Sequence, residues 1–300
     1  MSIFAPKYYR DFKCIADRCR HSCCIGWEID VDREALSRYA ALGDEGADII
    51  RSIDMSGGTP HFRLLSDERC PHLDSHGLCR IITKHGEGYL CDICREHPRF
   101  YNFPKGRCEV GLGAACEEAA RLILTSESYS ETEEVSGEAN IEAGKCDFDA
   151  AAERARIYKI LSDGSLSYNA RLFEISEKYA VSPRILSDEN WRDVISELEY
   201  LDTGSRDIFL NYSSYISSEL EDYSERALAY FIYRHTGSAE SPEQLRLSLG
   251  LSLFLERLFT SCMAGIDEPT LDGAVLLLRL ISEEIEYSEE NTEKIKFEFI

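Results

Sequence analysis

Apolar residues recur at helical spacing through most of the second half of the chain. Six stretches show it: DFDAAAERARIYKILSDG, LSYNARLFEISEKYAV, PRILSDENWRDVISELEYLD, SRDIFLNYSSYISSELEDYSERALAYFIYRH, SPEQLRLSLGLSLFLERLFTSCMAG and PTLDGAVLLLRLISEEIEYS. Pro183, Pro242 and Pro269 stand near the starts of three, where a missing amide costs nothing. Gly164, Gly204, Gly237 and Gly265 mark the ends of others. The pattern predicts an all-α bundle of about six helices over residues 148–300. The tail EKIKFEFI alternates instead, and predicts a terminal strand.

The first 125 residues have a different texture. GDEG, SGGTP, SHG, KHGEG and PKG interrupt every apolar run. WEIDVD predicts a short strand, and DREALSRYAALG a helix capped by Asp32 and ended by Gly43. FRLL before Cys70 and LCRII around Cys79 predict paired strands joined through DSHG. No continuous apolar face emerges, so a module of this kind gains much from metal ligation. Residues 126–147, SESYSETEEVSGEANIEAGKCD, are acidic and poor in large apolar groups, and predict a linker. The expected fold is mostly α: a small, loop-rich, cysteine-ligated metal module (1–125), an acidic linker (126–147) and an acidic all-α domain (148–300).

Charge sharpens this division. Residues 1–125 carry 17 Lys+Arg against 19 Asp+Glu, whereas residues 126–300 carry 16 against 36. Such acidity, with no basic stripe, argues against a nucleic-acid partner. It serves solubility, and it also favours a cationic ligand or substrate. There is no secretory h-region and no run of 18 uninterrupted apolar residues, so the expectation is a cytoplasmic protein without a membrane span. Thiols in that compartment stay reduced.

That matters because ten of the 12 cysteines lie between residues 14 and 116. The first four are Cys14, Cys19, Cys23 and Cys24, and the next group is Cys70, Cys79, Cys91, Cys94, Cys108 and Cys116. Clustered cysteines in a reducing compartment are metal ligands more often than disulfides. Thiolates suit zinc and iron–sulfur clusters alike, and the lack of a C-x2-C…C-x2-C ribbon favours iron–sulfur. The adjacent Cys23 and Cys24 point in different directions, so they serve two centres, or one of them is structural. Cys91 and Cys108 are the readiest spares, and Cys146 and Cys262 read as ordinary buried thiols. His21, His72, His76 and His97 stand close enough in sequence to be ligands or their hydrogen-bond partners, although surface or turn positions are the commoner fate of such histidines. The G-x-G-x-x-G turn of dinucleotide-type folds is absent.

FKCIADRCRHSCCIGWEIDVD, RCPHLDSHGLCRI, LCDICREHPRFY and GLGAACEEAARLIL, taken in that order, resemble the flagellin lysine-N-methylase family. The early and middle motifs are also similar to the broader CxxCxxCC class of zinc- or iron-chelating proteins. The resemblance covers residues 8–125. It implies a cytoplasmic bacterial enzyme that transfers methyl groups from S-adenosylmethionine to lysines of flagellin, with a [4Fe-4S] cluster involved. It carries ligand status to Cys14, Cys19, Cys23, Cys24, Cys70, Cys79, Cys94 and Cys116. Cys91 and Cys108 fall outside the shared pattern, and His97 stands where an apolar or aromatic residue is expected. The competing expectations are a non-enzymatic zinc or iron module carrying a helical protein-interaction domain, and a cluster protein that only passes electrons. No catalytic residue is singled out, because 16 tyrosines and 55 acidic residues offer too many proton acceptors.

Overall fold

The computed structural model describes residues 2–135, 146–181, 188–211, 220–266 and 269–300. The chain forms two compact units: Lys13–Pro98, and Met1–Phe12 together with Arg99–Ile300. The larger unit thus begins with β1 (Ile3–Pro6), surrenders the chain at Lys13, and resumes at Arg99. The compact units divide at these points and not at residue 125.

The smaller unit contains α1 (Arg33–Ala41), α2 (Asp44–Arg51), the two-residue strands β2 (Ile53–Asp54) and β3 (His61–Phe62), and the short helices α3 (Arg80–His85) and α4 (Asp92–Glu96). Asp32 caps α1 as expected, its Oδ1 accepting from the Ala35 amide at 2.7 Å. Its Oδ2 accepts from the Asp92 amide at 2.7 Å, so one carboxylate fixes the starts of both α1 and α4. A small core of Val31, Ala35, Tyr39, Ile49, Phe62 and Ile81 closes the unit. Gly46 lets α2 lie against α1, since a Cβ there would sit 1.8 Å from the Tyr39 carbonyl oxygen.

In the larger unit β4 (Arg99–Asn102) and β5 (Cys108–Leu112) form a hairpin. β1 joins β5 in parallel, and β6 (Thr132–Val135) pairs antiparallel with β1, giving the order β4-β5-β1-β6. Helix α5 (Glu117–Thr125) follows β5. Then come α6 (Ala150–Leu161), α7 (Tyr168–Lys178), α8 (Asp188–Glu197), α9 (Thr203–Leu210), α10 (Glu221–Thr236), α11 (Pro242–Ala264), α12 (Leu271–Ile281), a π-helical turn (Ser282–Glu286) and α13 (Glu289–Phe297). α11 is central, packed by α9, α10, α12 and α13. By length and composition it is apolar enough to cross a membrane, yet 83% of its apolar window is buried inside the unit.

The expectation of a mostly helical chain holds: the described residues are 56% helix and 10% strand. Several local expectations do not. The region read as six helices contains eight among the described residues. WEIDVD makes only an isolated bridge, Asp30 to His61. LCRII runs into α3, leaving one bridge, Leu73 to Cys79, across the DSHG turn. Gly204 lies in the first turn of α9, where its amide donates to the Asp202 cap. Residues 132–135 of the expected linker form a sheet strand, while 136–145 and Pro183 lie outside the described residues. The tail is helical as far as Phe297, with Ile295 in α13 and Phe299 in the turn just beyond it both buried. Phe299 rests on Gly250 of α11, and Ser288 caps α13.

Candidate metal centre

Three local devices gather thiols in the smaller unit. Gly26, at φ +78°, turns the chain so that its amide donates to the Glu68 carbonyl at 3.0 Å. One step along, the Cys70 amide donates to the Cys24 carbonyl at 2.8 Å, which lays the Cys23-Cys24 pair beside the Cys70-Pro71 segment. The Asp74 carboxylate accepts from the amides of His76 (2.8 Å) and Leu78 (2.9 Å) and closes the turn that brings Cys79 back. The third device is Asp32, which sets the start of α4 and therefore of Cys91 and Cys94, one helical turn apart.

Five thiols result within one another's electrostatic reach: Cys24, Cys70, Cys79, Cys91 and Cys94. Burial pushes Cys70 up to about 11 and also raises Cys79. A hydrogen bond from Cys23 brings Cys24 down to about 7 against the effect of burial, helped by Ser22 and the Arg69 charge. Cys91 and Cys94 share a hydrogen bond that lowers the first and raises the second. Each thiolate thus makes the next harder to form. A bound soft cation would relieve that mutual repulsion, so the donor chemistry fits zinc or an iron–sulfur centre. The side chains stand as neighbours, not as a closed coordination sphere: among the described residues no three His, Cys, Asp or Glu groups form a ligating set. No described cysteine is in a disulfide.

The remaining predicted ligands are placed differently. Cys14 is exposed; Cys23 is exposed as a residue, yet its thiol hydrogen-bonds Cys24 at the edge of the five; and the Cys19 thiol donates to the His21 carbonyl at 3.1 Å. Cys116 belongs to the larger unit, at the N-cap of α5. Cys108 is buried in β5 and Cys262 in α11, where burial pushes the latter up to about 12. His72 is buried, its Nε2 2.9 Å from the Ser52 hydroxyl and its ring edge-on to Phe62. It supports the fold beside Cys70.

Cys91 is the residue that reading by resemblance set aside. The local signal was present, because Cys91-x2-Cys94 spans the first turn of a helix and places both thiols on one side.

The larger unit holds a buried polar network that the sequence did not announce. The Ala114 amide, in the loop leading to Cys116, donates to the Tyr230 hydroxyl at 2.9 Å. Tyr230 donates to Glu286 Oε2 at 2.7 Å, and His235 Nε2 and Arg234 Nε lie 2.7 and 3.3 Å from Oε1. Burial alone would raise Glu286, but the Arg234 charge and the His235 contact outweigh it and hold the carboxyl at about 2.

No protein-family profile matches the chain, and no solved structure matches it. Over 138 residues it is 28% identical to the lysine-N-methylases of Salmonella choleraesuis (strain SC-B67) and Salmonella typhimurium (strain LT2), alignments that take in 41% of this chain and 33% of each relative. Over 131 residues it is 27% identical to the flagellar biosynthetic protein FliU of Salmonella muenchen, covering 41% of this chain and 78% of that protein. The chain therefore spans about a third of the length of the lysine-N-methylases it matches. Across two-fifths of its length, this is a chain similar to bacterial proteins named for lysine methylation and for flagellar biosynthesis.

Proposed function

We propose that the protein is a cytoplasmic S-adenosylmethionine-dependent protein-lysine N-methyltransferase, acting on flagellin or a similar lysine-bearing protein. In this reading its thiol-rich unit holds a [4Fe-4S] cluster. The observation that carries the reading is the gathering of Cys24, Cys70, Cys79, Cys91 and Cys94 in one small unit. The similarity to the two lysine-N-methylases supplies the reaction class.

Up to four of those five thiols, with Cys14, Cys19, Cys23 and Cys116 as the other candidates, would hold the cluster. When bound, it supplies a soft, Lewis-acidic centre. The chain's own contribution to methyl transfer is positioning and proton removal. The lysine nitrogen must be neutral to attack the methyl carbon; the carbon–sulfur bond breaks as the nitrogen–carbon bond forms, and the electrons stay on sulfur. Residues 126–300, with 36 acidic against 16 basic side chains, draw a cationic lysine segment inward and offer carboxylates to take its proton.

The test is anaerobic purification followed by iron and sulfide assay and methyl transfer from labelled S-adenosylmethionine to flagellin. A brown protein with about four irons per chain that labels flagellin is expected. Colourless protein holding only zinc and transferring nothing overturns the reading and leaves a closed structural metal module.

A further inference from the structure

The larger unit contains a cavity of about 410 Å³, bounded by α6, the loop between β4 and β5, and the start of β6 with the residues before it. Lys105, Arg107, Arg154, Tyr158, Ser130 and Thr132 are among its walls. Arg154 is only 2% exposed, and its guanidinium is packed 4.7 Å from the centre of the Tyr233 ring. It shares a single carboxylate with Arg107: both reach Oε1 of the fully buried Glu109.

Two guanidinium charges therefore meet one buried carboxylate, and with Lys105 and Asp149 also in the wall the cavity lining is net cationic. The donors are also incompletely used. Arg154 Nη1 and Arg107 Nε are buried without a hydrogen-bond partner among the described residues. Buried guanidinium N–H groups are seldom left this way, because nothing replaces the lost water. Asp149 accepts from the Ala152 amide at 2.9 Å as the cap of α6, and Asp147 receives Lys105. Glu109 Oε2, on the carboxylate both arginines contact, is also without a partner among the described residues, and Glu109 does not line the cavity. The first turn of α6, through Ala151 and Ala152, adds a field that favours negative charge.

We propose that this cavity is a binding site for an oxyanion, the carboxylate or phosphate group of a small ligand, received by Arg154 and Arg107 with the Ser130 and Thr132 hydroxyls at its side. An arginine fork is the natural receptor for either group, and a preformed buried fork loses little freedom on binding. The site does not depend on methyl transfer and would stand if that reading failed.

Arginine-labelled full-length protein, observed by NMR at its guanidinium resonances, tests this with two probes, inorganic phosphate and acetate. The Arg154 and Arg107 signals should move saturably with at least one. Response to phosphate alone assigns a phosphate-bearing ligand, to acetate alone a carboxylate, and to both a general oxyanion site. Arg107→Gln should weaken binding roughly ten-fold or more, the loss expected for a charged hydrogen bond. Arg154→Gln should abolish it; if that variant does not fold, Arg107→Gln, whose side chain is partly exposed, still decides. Absence of a saturable shift with both anions, or shifts unchanged in Arg107→Gln, overturns the proposal.

Discussion

The Cys70 amide hydrogen-bonds the Cys24 carbonyl at 2.8 Å, so two motifs far apart in sequence are joined through backbone at their thiol-bearing residues. Backbone pairing of this sort holds whether or not the thiols carry a metal. It makes the closeness of Cys24 and Cys70 a property of the fold.

Cys91 should behave as a ligand and Cys108 as a packing residue. Cys91→Ser and Cys24→Ser are each expected to lower retained iron severalfold in anaerobically purified protein, while Cys108→Ser keeps it. Elemental analysis with acid-labile sulfide assay reads the result. Equal retention in Cys91→Ser and wild type would return Cys91 to the spares.

Asp32 serves two helix starts, so Asp32→Ala should cost more than one cap. Loss of a single N-cap costs about 1 kcal/mol. With the Asp92 amide also released, about 2 kcal/mol is expected in urea unfolding. Faster reaction of Cys91 with a thiol reagent should accompany it, since α4 loses its anchor. A substitution that leaves thiol reactivity unchanged would mean that α4 is held elsewhere.

Acid should loosen the larger unit through Glu286. Its carboxyl is held at about 2 against an ordinary 4.5, so the folded state prefers the ionised form. That stability is fully present above pH 4.5 and is lost as pH falls toward 2. The shift corresponds to roughly 3 kcal/mol. Burial lowers the folded pKa of His235, so its protonation below the ordinary 6.5 opposes folding in the same direction. Glu286→Gln should therefore be less stable near neutrality and show a flatter acid dependence in denaturant midpoints measured from pH 6 to 3.

Gly46→Ala should destabilise the smaller unit by about 1–3 kcal/mol, the range for overpacking. The obstacle is a backbone carbonyl, that of Tyr39, which cannot swing aside as a side chain would. Thermal unfolding followed by Trp27 fluorescence tests this, since Trp27 packs against that unit's core.

Helices whose apolar period was long and whose caps were explicit were legible in advance: α1 with Asp32, α6, α7 and α11 with Pro242 at its start. Short alternations were not. EKIKFEFI satisfies both a two-residue and a four-residue period at Ile295 and Phe299, and only packing against α11 decides between them. The sheet was hidden because β1 pairs with β5 and β6, far away in sequence. At the thiol site, four of the five gathered cysteines came from the motif resemblance. Cys91 needed the start of α4, which a carboxylate sixty residues upstream, Asp32, helps to set.

The larger unit's sheet is interrupted by the smaller unit as by an inserted domain. Its two seams are tied together within the larger unit: Arg99 Nε donates to the Tyr9 hydroxyl at 2.9 Å, just outside the points where the chain leaves and returns. During synthesis, residues 13–98 are complete before β5 exists, so β1 must wait for its partners while the thiol unit already has all of its sequence. The thiol unit can therefore fold ahead of the scaffold that flanks it in the chain, and a short linker from Phe12 to Arg99 should leave that scaffold able to form its sheet.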